Sequence, residues 1–200
     1  MLRRLVGSEM CIRDRVVCEP SGKLNSRKSK GYVRDVFQQN HMSNLQGNFG
    51  IGHVRYPTAG GIGKEFAQPM YVNTPYGISL AHNGNLTNSK KLAAELFHAE
   101  RRHINTDSDS EVLLNIFALE LSKQEAVFPK PKDFFAAVEK THLRINGAYA
   151  VVALITGYGI VAFRDPLGIR PLTIGVRKGK KRNEYVVMSL IHISEPTRRL

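Results

Sequence analysis

The longest apolar run of the chain, Ala148 to Phe163, is interrupted by the tetrapeptide Thr156-Gly157-Tyr158-Gly159. The run is mostly β-branched and apolar, and the interruption supplies the residues that a tight turn needs. The same interruption leaves the run too short for a membrane span. The sequence therefore predicts two strands joined by a tight turn, and no membrane association.

Similar segments predict further strands at 16–18, 49–56, 77–82, 172–177 and 184–188. Helical spacing predicts helices at 34–43, 88–101, 109–122 and 133–143. Asn88 is expected to cap the second of these, with Leu92, Leu96 and Ala99 on one face. Strands at both ends with helices gathered in the middle favour an α+β layered sandwich over a doubly wound fold.

The two ends of the chain are related to each other at the level of DNA. Back-translation of residues 5–14 gives a string whose reverse complement, shifted by one base, encodes the sequence from Ser189 to Arg198. Such an inverted pair resembles a sequencing-library adapter of the transposase type that has been translated with its insert. We therefore expect residues 1–15 and 189–200 to be adapter-derived, and residues 16–188 to be one incomplete domain.

The formal net charge is +12, and the chain has two cysteines. The basic residues lack the interleaved aromatic residues that stack on bases, so a nucleic-acid-binding module is the less favoured alternative. The basic segment from Lys178 to Arg182 is expected to be a solvated hairpin turn. So few cysteines provide no disulfide framework and favour a reducing, cytoplasmic environment.

The polar segment Ala81 to Asn88 directly follows the apolar segment at 77–80. At the end of a strand, the side-chain amide of Asn83 and the backbone N–H of Gly84 can point at one position. Two such donors stabilise the negative charge of an acyl-transfer intermediate. Asn-Gly is also the commonest tight-turn dipeptide. The pattern leaves two alternatives, an oxyanion site and an ordinary turn.

Two charged residues occupy comparable positions. Arg55 lies near the exit of the strand at 49–56, where its guanidinium can bind a carboxylate or pair with a surface acid. Ser108 and Glu111 fit a capping box, which places Asp109 in the first turn of a helix and keeps it ionised. There Asp109 either only stabilises the N-terminus of the helix or also binds the ammonium group of a ligand.

An arginine for a carboxylate, an aspartate for an amine and an Asn-Gly pair for an oxyanion describe a pocket for glutamine or asparagine. Other motifs fit poorly. Gly60 to Glu65 lacks the hydroxyl residue and the spacing of a phosphate loop. His98 and His103 lack the spacing and partners of a zinc site, so no metal site is expected. His53 and His82 are expected to be hydrogen-bonded structural residues.

Four longer segments carry a family resemblance. They are His-Val-Arg-Tyr-Pro-Thr-Ala-Gly at 53–60, Ala-His-Asn-Gly-Asn-Leu-Thr-Asn at 81–88, Arg-Arg-His-Ile-Asn-Thr at 101–106 and Phe-Arg-Asp-Pro-Leu-Gly-Ile-Arg-Pro-Leu at 163–172. From Val16 to Met188 the chain resembles the N-terminal glutaminase domain of the amidophosphoribosyltransferase family, a class II glutamine amidotransferase. The resemblance implies the N-terminal-nucleophile hydrolase fold, a four-layer αββα sandwich, here incomplete at both ends. Another class II amidotransferase, such as one that forms glucosamine phosphate, is the alternative.

The resemblance also implies roles for single residues. Arg55 would bind the α-carboxylate of glutamine with help from Tyr56 and Thr58. Asp109 would bind the α-ammonium group, and Asn83 with Gly84 would hold the oxyanion.

Partners are implied as well. Glutamine is the expected substrate, and no cofactor is expected in this domain. A phosphoribosyltransferase domain, where Mg²⁺ is expected, would follow it in the family, use the ammonia on phosphoribosyl pyrophosphate and open purine synthesis. The intact protein is expected to be a homo-oligomer.

The nucleophile of the family is an N-terminal cysteine, whose α-amino group is the base. Cys11 lies in the expected adapter and Cys18 is internal, so neither offers both groups. We therefore expect this chain to lack glutaminase activity.

Overall fold

The computed structural model describes residues 12–30, 38–55, 66–124, 126, 128–179 and 182–189. In chain order, the elements of this part are β1 (Ile12–Cys18), β2 (Leu24–Lys30), α1 (Gln39–Ser43), β3 (Phe49–Arg55), β4 (Met70–Val72), β5 (Ile78–Leu86), α2 (Ser89–His98), α3 (Asp109–Ser122), α4 (Pro131–Arg144), β6 (Gly147–Ile155), β7 (Gly159–Arg164), β8 (Thr173–Arg177) and β9 (Glu184–Met188).

The large sheet has the strand order β4-β5-β6-β7, and its neighbouring strands are antiparallel. β6 and β7 form the predicted hairpin. Gly157, with a φ of 80°, and Gly159, with a φ of 127°, lie at its turn. These positive φ values favour glycine, which explains why the apolar run is interrupted there. On its other edge β6 pairs with β5 along the whole length of both strands.

Helices cover one face of the large sheet. α3 packs against β4 and β5, and α2 and α4 flank it. Nearly every residue of α3 is buried, because the helix is apolar around most of its surface. A single hydrophobic core joins the helices to the sheet, and its fully buried members include Leu80, Leu113, Ile116, Phe117 and Val151.

The small sheet has the order β2-β1-β3 and lies against the other face of the large sheet. Val16 and Ile51 from the small sheet form an apolar cluster with Leu154 from β6. On the opposite face of β1, Arg15 donates from Nη1 to Sδ of Met42 in α1 at 3.4 Å. Because side chains alternate across a strand, α1 lies on the outer side of the small sheet. The layers are helices, large sheet, small sheet and helix, which confirms the predicted αββα sandwich.

The sequence does not predict β2 or β4. β2 is polar, with the sequence Leu-Asn-Ser-Arg-Lys-Ser-Lys, and it is a strand because each of its residues pairs with β1. β4 has three residues and pairs with the start of β5. The strand state of both comes from their neighbours rather than from their own composition. Of the predicted helix at 34–43, residues 34–37 lie outside the described part.

β8 and β9 form a separate two-stranded antiparallel sheet, as predicted for a hairpin, and Lys178, Gly179 and Arg182 lie in the described part of the connection. β1 begins at Ile12 and so crosses the predicted domain boundary at residue 15. Strand pairing does not report the origin of a segment, so the domain boundaries stay a prediction. Among the described residues, the helices are all too short or too polar to cross a membrane.

Candidate functional site

Asn83 and Gly84 lie inside β5 and not in a turn that follows it. Asn83 stands opposite Ala150 of β6, and Gly84 stands opposite Tyr149. The prediction that the strand ends at residue 82 is wrong, and so is the alternative of a tight Asn-Gly turn. β6 supplies a pairing partner as far as Leu86, so strand pairing outweighs the local turn preference of Asn-Gly.

The backbone at Gly84 requires glycine. Its φ is 155°, and a Cβ added there would lie 2.0 Å from the carbonyl oxygen of Ala148. The obstacle is backbone, so no choice of side-chain rotamer avoids it. Across the pair, Gly147 has a φ of 140°, and a Cβ there would lie 2.1 Å from the carbonyl oxygen of Asn85. The two glycines allow β5 and β6 to remain paired through this distorted section.

β5 is paired with β6 along one edge and only in part with β4 along the other, where Met70 stands opposite Leu80. Beyond Leu80, side chains occupy that edge in place of a strand. Gln68 Oε1 accepts the backbone N–H of His82 at 2.6 Å. The side-chain amide thereby continues the hydrogen bonding that β4 begins.

Further along the same edge, Asp109 Oδ2 accepts the backbone N–H of Leu86 at 2.9 Å. Successive N–H groups of a strand alternate between its two edges. The N–H of Gly84, midway between His82 and Leu86, therefore points to this edge as well. We call residues 82–86, seen from this side, the open edge of β5.

Asp109 is the first residue of α3. Ser108 caps the helix and accepts the N–H of Ser110 at 3.3 Å. The predicted partner in a capping box, Glu111, instead accepts the backbone N–H of Thr106 at 2.8 Å. The capping box is therefore wrong, because the N–H of Ser108 is donated to the hydroxyl of Thr106 at 3.2 Å. The side chain of Asp109 is 23% exposed, so a ligand can reach its carboxylate.

His82 is buried beneath the open edge. Its Nδ1 lies 3.0 Å from Oγ of Ser110 and 3.8 Å from Oδ1 of Asp109. Burial lowers the pKa of His82 below its ordinary value; the Asp109 carboxylate raises it and the Arg170 guanidinium lowers it. The ring is therefore neutral near pH 7. It is hydrogen-bonded, as predicted.

The side chain of Asn83 projects from the opposite face of the large sheet, toward the small sheet, because neighbouring residues of a strand alternate. Its Nδ2 donates to Oγ of Ser189 at 3.4 Å. Ser189 belongs to the segment that we expect to be adapter-derived. The amide that would face an oxyanion thus contacts a residue from outside the predicted domain.

Arg55 is the last residue of β3 and stands opposite Ile12 of β1. β3 contacts both β5 and β6, so the strand that ends in Arg55 lies next to the strand that carries Asn83. The side chain of Arg55 and all of Tyr56 and Thr58 lie outside the described residues. Their predicted roles in binding the α-carboxylate stay predictions.

Three of the predicted site residues, Asn83, Gly84 and Asp109, lie at or beside the open edge of β5. The sequence does not predict that Gln68 and Ser110 belong to the same site. Gln68 carries no local signal, because its backbone partner lies 14 residues further along the chain. Ser110 lies in a polar segment at a predicted helix start, and this position is the feature of the sequence that could have indicated a role at the site.

Within the described residues, the free thiol is Cys18, which is 3% exposed in β1. Its Sγ donates to the carbonyl oxygen of Glu19 at 3.4 Å, and its side chain packs between the two sheets. A ligand at the open edge therefore has no access to this thiol. In the same part of the chain, no group of three or more His, Cys, Asp or Glu residues is placed to hold a metal ion.

Residues 62–192 match the family model described as "Glutamine amidotransferase domain". The chain belongs to the glutamine amidotransferase domain family. The matched region contains β5 with its open edge and the start of α3. It also contains the segment at 163–172 that carried part of the resemblance.

The curated relatives of this family member include several amidophosphoribosyltransferases. That of Pseudomonas aeruginosa is 58% identical over 167 residues, which are 84% of this chain and 33% of the relative. That of Escherichia coli is 58% identical over 164 residues, or 82% and 32% of the two chains. That of Schizosaccharomyces pombe is 49% identical over 168 residues, or 84% and 32%. The chain spans about one third of the length of these relatives.

Two solved structures give the same fold. The glutamine phosphoribosylpyrophosphate amidotransferase from B. subtilis, complexed with ADP and GMP, has a TM-score of 0.69 and 30% identity, over 90% of this chain and 35% of that one. The structure described as the allosteric regulatory enzyme of purine biosynthesis has a TM-score of 0.72 and 32% identity, over 90% and 36%. The chain has the N-terminal-nucleophile hydrolase fold.

Proposed function

We propose that this chain is the glutaminase portion of an amidophosphoribosyltransferase and that glutamine binds at the open edge of β5. The observation that carries the proposal is the placement of the Gly84 N–H between the contacts made by Gln68 and Asp109. A backbone N–H that points to the open edge and a partly exposed carboxylate on the same edge suit the oxyanion and the ammonium group of a glutamine under attack at its side-chain amide. Family membership and the names of the relatives support the same assignment.

Each predicted site residue has one role in this proposal. Asp109 binds the α-ammonium group, and its exposure means that the ligand replaces water. Arg55 binds the α-carboxylate through two parallel hydrogen bonds, with Tyr56 and Thr58 completing that side of the pocket. The side-chain amide of Asn83 and the backbone N–H of Gly84 donate hydrogen bonds to the side-chain amide oxygen of glutamine, on which negative charge develops.

The reaction is acyl transfer. A thiolate attacks the side-chain carbonyl carbon of glutamine, the C–N bond breaks, and the nitrogen takes a proton from the nucleophile's α-ammonium group and leaves as ammonia. Water then cleaves the thioester to glutamate. Cys18 is buried and has its nitrogen in a peptide bond, so it cannot act as both nucleophile and base. We therefore expect this chain to bind glutamine without hydrolysing it.

The proposal for the whole protein extends further. Ammonia would pass to phosphoribosyl pyrophosphate in a phosphoribosyltransferase domain, with Mg²⁺ present there, and give 5-phosphoribosylamine for purine synthesis. The relatives are about three times as long as the matched segment, which leaves room for such a domain. A cytoplasmic location and a homo-oligomeric assembly belong to the same proposal.

Isothermal titration of the purified chain with L-glutamine tests the binding step. We expect binding at one site per chain, and Asp109→Asn should weaken it at least tenfold, because a hydrogen bond to a charged group contributes roughly 1.5–3 kcal/mol. Asp107→Asn is the matched control, since it makes the same charge change at an exposed residue two positions away and should leave the affinity unchanged.

Absence of glutamine binding, or equal losses in the two variants, would contradict the proposal. Release of glutamate from glutamine by the same preparation would contradict the expectation that the chain binds glutamine without hydrolysing it.

A further inference from the structure

Four side chains from three separate segments meet beneath the open edge of β5. Gln68 precedes β4, His82 belongs to β5, and Asp109 and Ser110 begin α3. The Oγ of Ser110 accepts from Nε2 of Gln68 at 3.0 Å, lies 3.0 Å from Nδ1 of His82 and donates to Oδ1 of Asp109 at 3.5 Å. We call these four side chains the β5 clamp.

One arrangement of the hydrogen bonds in the β5 clamp places the proton of His82 on Nδ1. A serine hydroxyl donates one hydrogen bond and accepts two. If the hydroxyl of Ser110 donates to Asp109, then both Gln68 and His82 donate to it, so His82 carries its proton on Nδ1. The nearby Asp109 carboxylate favours the same tautomer. The Nε2 of His82 is buried without a hydrogen-bond partner in the described part of the chain, so the ring is anchored through Nδ1.

The β5 clamp holds the backbone on both sides of Gly84. Gln68 Oε1 binds the N–H of His82, and Asp109 Oδ2 binds the N–H of Leu86. The hydroxyl of Ser110 joins Gln68 to Asp109, so one continuous chain of hydrogen bonds runs from one side of Gly84 to the other. β4 does not reach this section, and the β5 clamp takes the place of a neighbouring strand.

We propose that Gln68 and Ser110 are positioning residues, which fix Asp109 and the strand on both sides of Gly84 for glutamine. This proposal rests on the proposed function of the open edge. Gln68 is 7% exposed, His82 3% and Ser110 2%, so these three act through Asp109 and the backbone rather than by touching the ligand. The hydroxyl of Ser110 is the centre of this buried network, and its removal leaves the donors of Gln68 and His82 without an acceptor.

Ser110→Ala removes that hydroxyl and nothing else. We expect the affinity for glutamine to fall at least tenfold, and the amide of Leu86 to exchange with solvent at least tenfold faster, because Asp109 is then free to rotate away. Titration calorimetry and amide hydrogen exchange measured by NMR give the two values. Thr141→Val is the control, since it removes another fully buried hydroxyl, whose partner is the carbonyl oxygen of Ala137. It should change neither value by more than twofold.

A pair of substitutions at His82 separates positioning from packing. Asn places its amide nitrogen near the position of Nδ1, whereas Gln fills more of the histidine volume but reaches toward Nε2. We expect His82→Asn to keep glutamine affinity within threefold of the original chain and His82→Gln to lose at least tenfold. A purely structural role predicts the reverse order, because the larger side chain leaves the smaller cavity.

The outcomes distinguish the two proposals. If the unchanged chain binds no glutamine, the proposed function is overturned, and exchange at Leu86 in Ser110→Ala alone decides whether the β5 clamp holds the strand. Three results would each overturn the positioning role. They are unchanged amide exchange at Leu86 in Ser110→Ala, unchanged glutamine affinity in Ser110→Ala, and tighter glutamine binding by His82→Gln than by His82→Asn. If Ser110→Ala does not fold, the His82 pair supplies the decision.

Discussion

Two aspartates are almost equally buried, one beside each sheet, and their pKa values move in opposite directions. Asp165, 2% exposed, directly follows β7 of the large sheet and accepts the N–H groups of Ile169 and Arg170 at 2.8 and 2.9 Å. Burial acts to raise its pKa, but these backbone hydrogen bonds outweigh burial, and the pKa of Asp165 is lowered. Hydrogen bonds from backbone N–H groups keep this carboxylate ionised.

Asp14 of the small sheet is 3% exposed and accepts one backbone N–H, that of Ser29 at 3.2 Å. Its Oδ2 has no hydrogen-bond partner among the described residues. Burial raises the pKa of Asp14 to about 6, although Lys28 and the Ser29 hydrogen bond act to lower it. Asp14 accepts fewer hydrogen bonds than Asp165, and desolvation therefore sets the direction of its pKa shift.

The difference has a counterpart in the sequence. Asp165 lies in the segment at 163–172 that carries the family resemblance, whereas Asp14 lies in the segment expected to be adapter-derived. If the prediction for residues 1–15 is correct, Asp14 was not selected for its place and has no reason to find donors there. Substitution of Asp14 should therefore be tolerated, and can even stabilise the chain, whereas substitution of Asp165 should not.

The largest expected effect is that of Gly84→Ala. The new Cβ meets the backbone of β6 at a positive φ, so strain and overpacking together should cost about 3 kcal/mol of unfolding free energy or more. Gly52→Ala in β3 is the matched control, because its Cβ would lie 3.3 Å from the carbonyl oxygen of Asp14 and its φ is not in the positive range. It should cost less than about 1 kcal/mol.

Urea unfolding of the two glycine variants measures both values. Equal costs would show that the small sheet is as tightly constrained as the large one, and the contrast between the sheets would be wrong.

The same contrast explains how much of the molecule the sequence predicts. β6 and β7 are predictable because both are apolar and rich in β-branched residues and a glycine-containing turn separates them, and Asp109 is predictable because helix starts have a local pattern. β2 is not, because its polar residues acquire the strand state from β1. The end of β5 is not, because the pairing of Gly84 with Tyr149 is decided by a strand about 65 residues away.

The residues of the candidate site also fall into those that local sequence predicts and those that it does not. Asn83 and Asp109 are proposed as site residues from residue type and local position. Gln68 is not, since its hydrogen bonds to His82 and Ser110 depend on how a loop, a strand and a helix meet. Local sequence contains the groups that would contact a ligand, and tertiary structure decides which groups hold them in place.

The second prediction tests the two aspartates. The pKa of Asp14 is about 6 in the folded chain, above its ordinary value of 3.8, so the folded state binds the proton more tightly. The stability from this proton is fully present below about pH 4 and is lost as the pH rises through 6. Asp14→Asn keeps an acceptor for Ser29 and should raise stability at pH 8 by about 1–2 kcal/mol, with Lys28 limiting the gain.

Asp165→Asn should have the opposite sign. It replaces one accepting oxygen by a donor that faces a backbone N–H, and the loss of a hydrogen bond to a charged group should cost roughly 1–3 kcal/mol. Urea unfolding at pH 5 and pH 8 compares the two variants. A loss of stability in both variants would show that Asp14, like Asp165, has effective hydrogen-bond partners, and the contrast between the two carboxylates would then be wrong.

The smallest effect concerns His82, which should give the large sheet a pH dependence opposite to that of Asp14. The pKa of His82 is lowered by burial, so as the pH falls below its ordinary value of 6.5 the unfolded chain binds a proton that the folded chain does not. This contribution to stability is present above pH 6.5 and is lost toward lower pH, with a slope of at most about 1.4 kcal/mol per pH unit.

His82→Asn removes this titration, so the stability of the variant should fall less steeply than that of the original chain between pH 6.5 and 5. Asp14→Asn should flatten the rise in stability toward low pH and leave the His82 contribution in place, because the two groups belong to different sheets. Urea unfolding at a series of pH values separates the two slopes. An unchanged slope in His82→Asn would mean that His82 binds its proton equally well in the folded and the unfolded chain, and the lowered pKa of the folded ring would then be wrong.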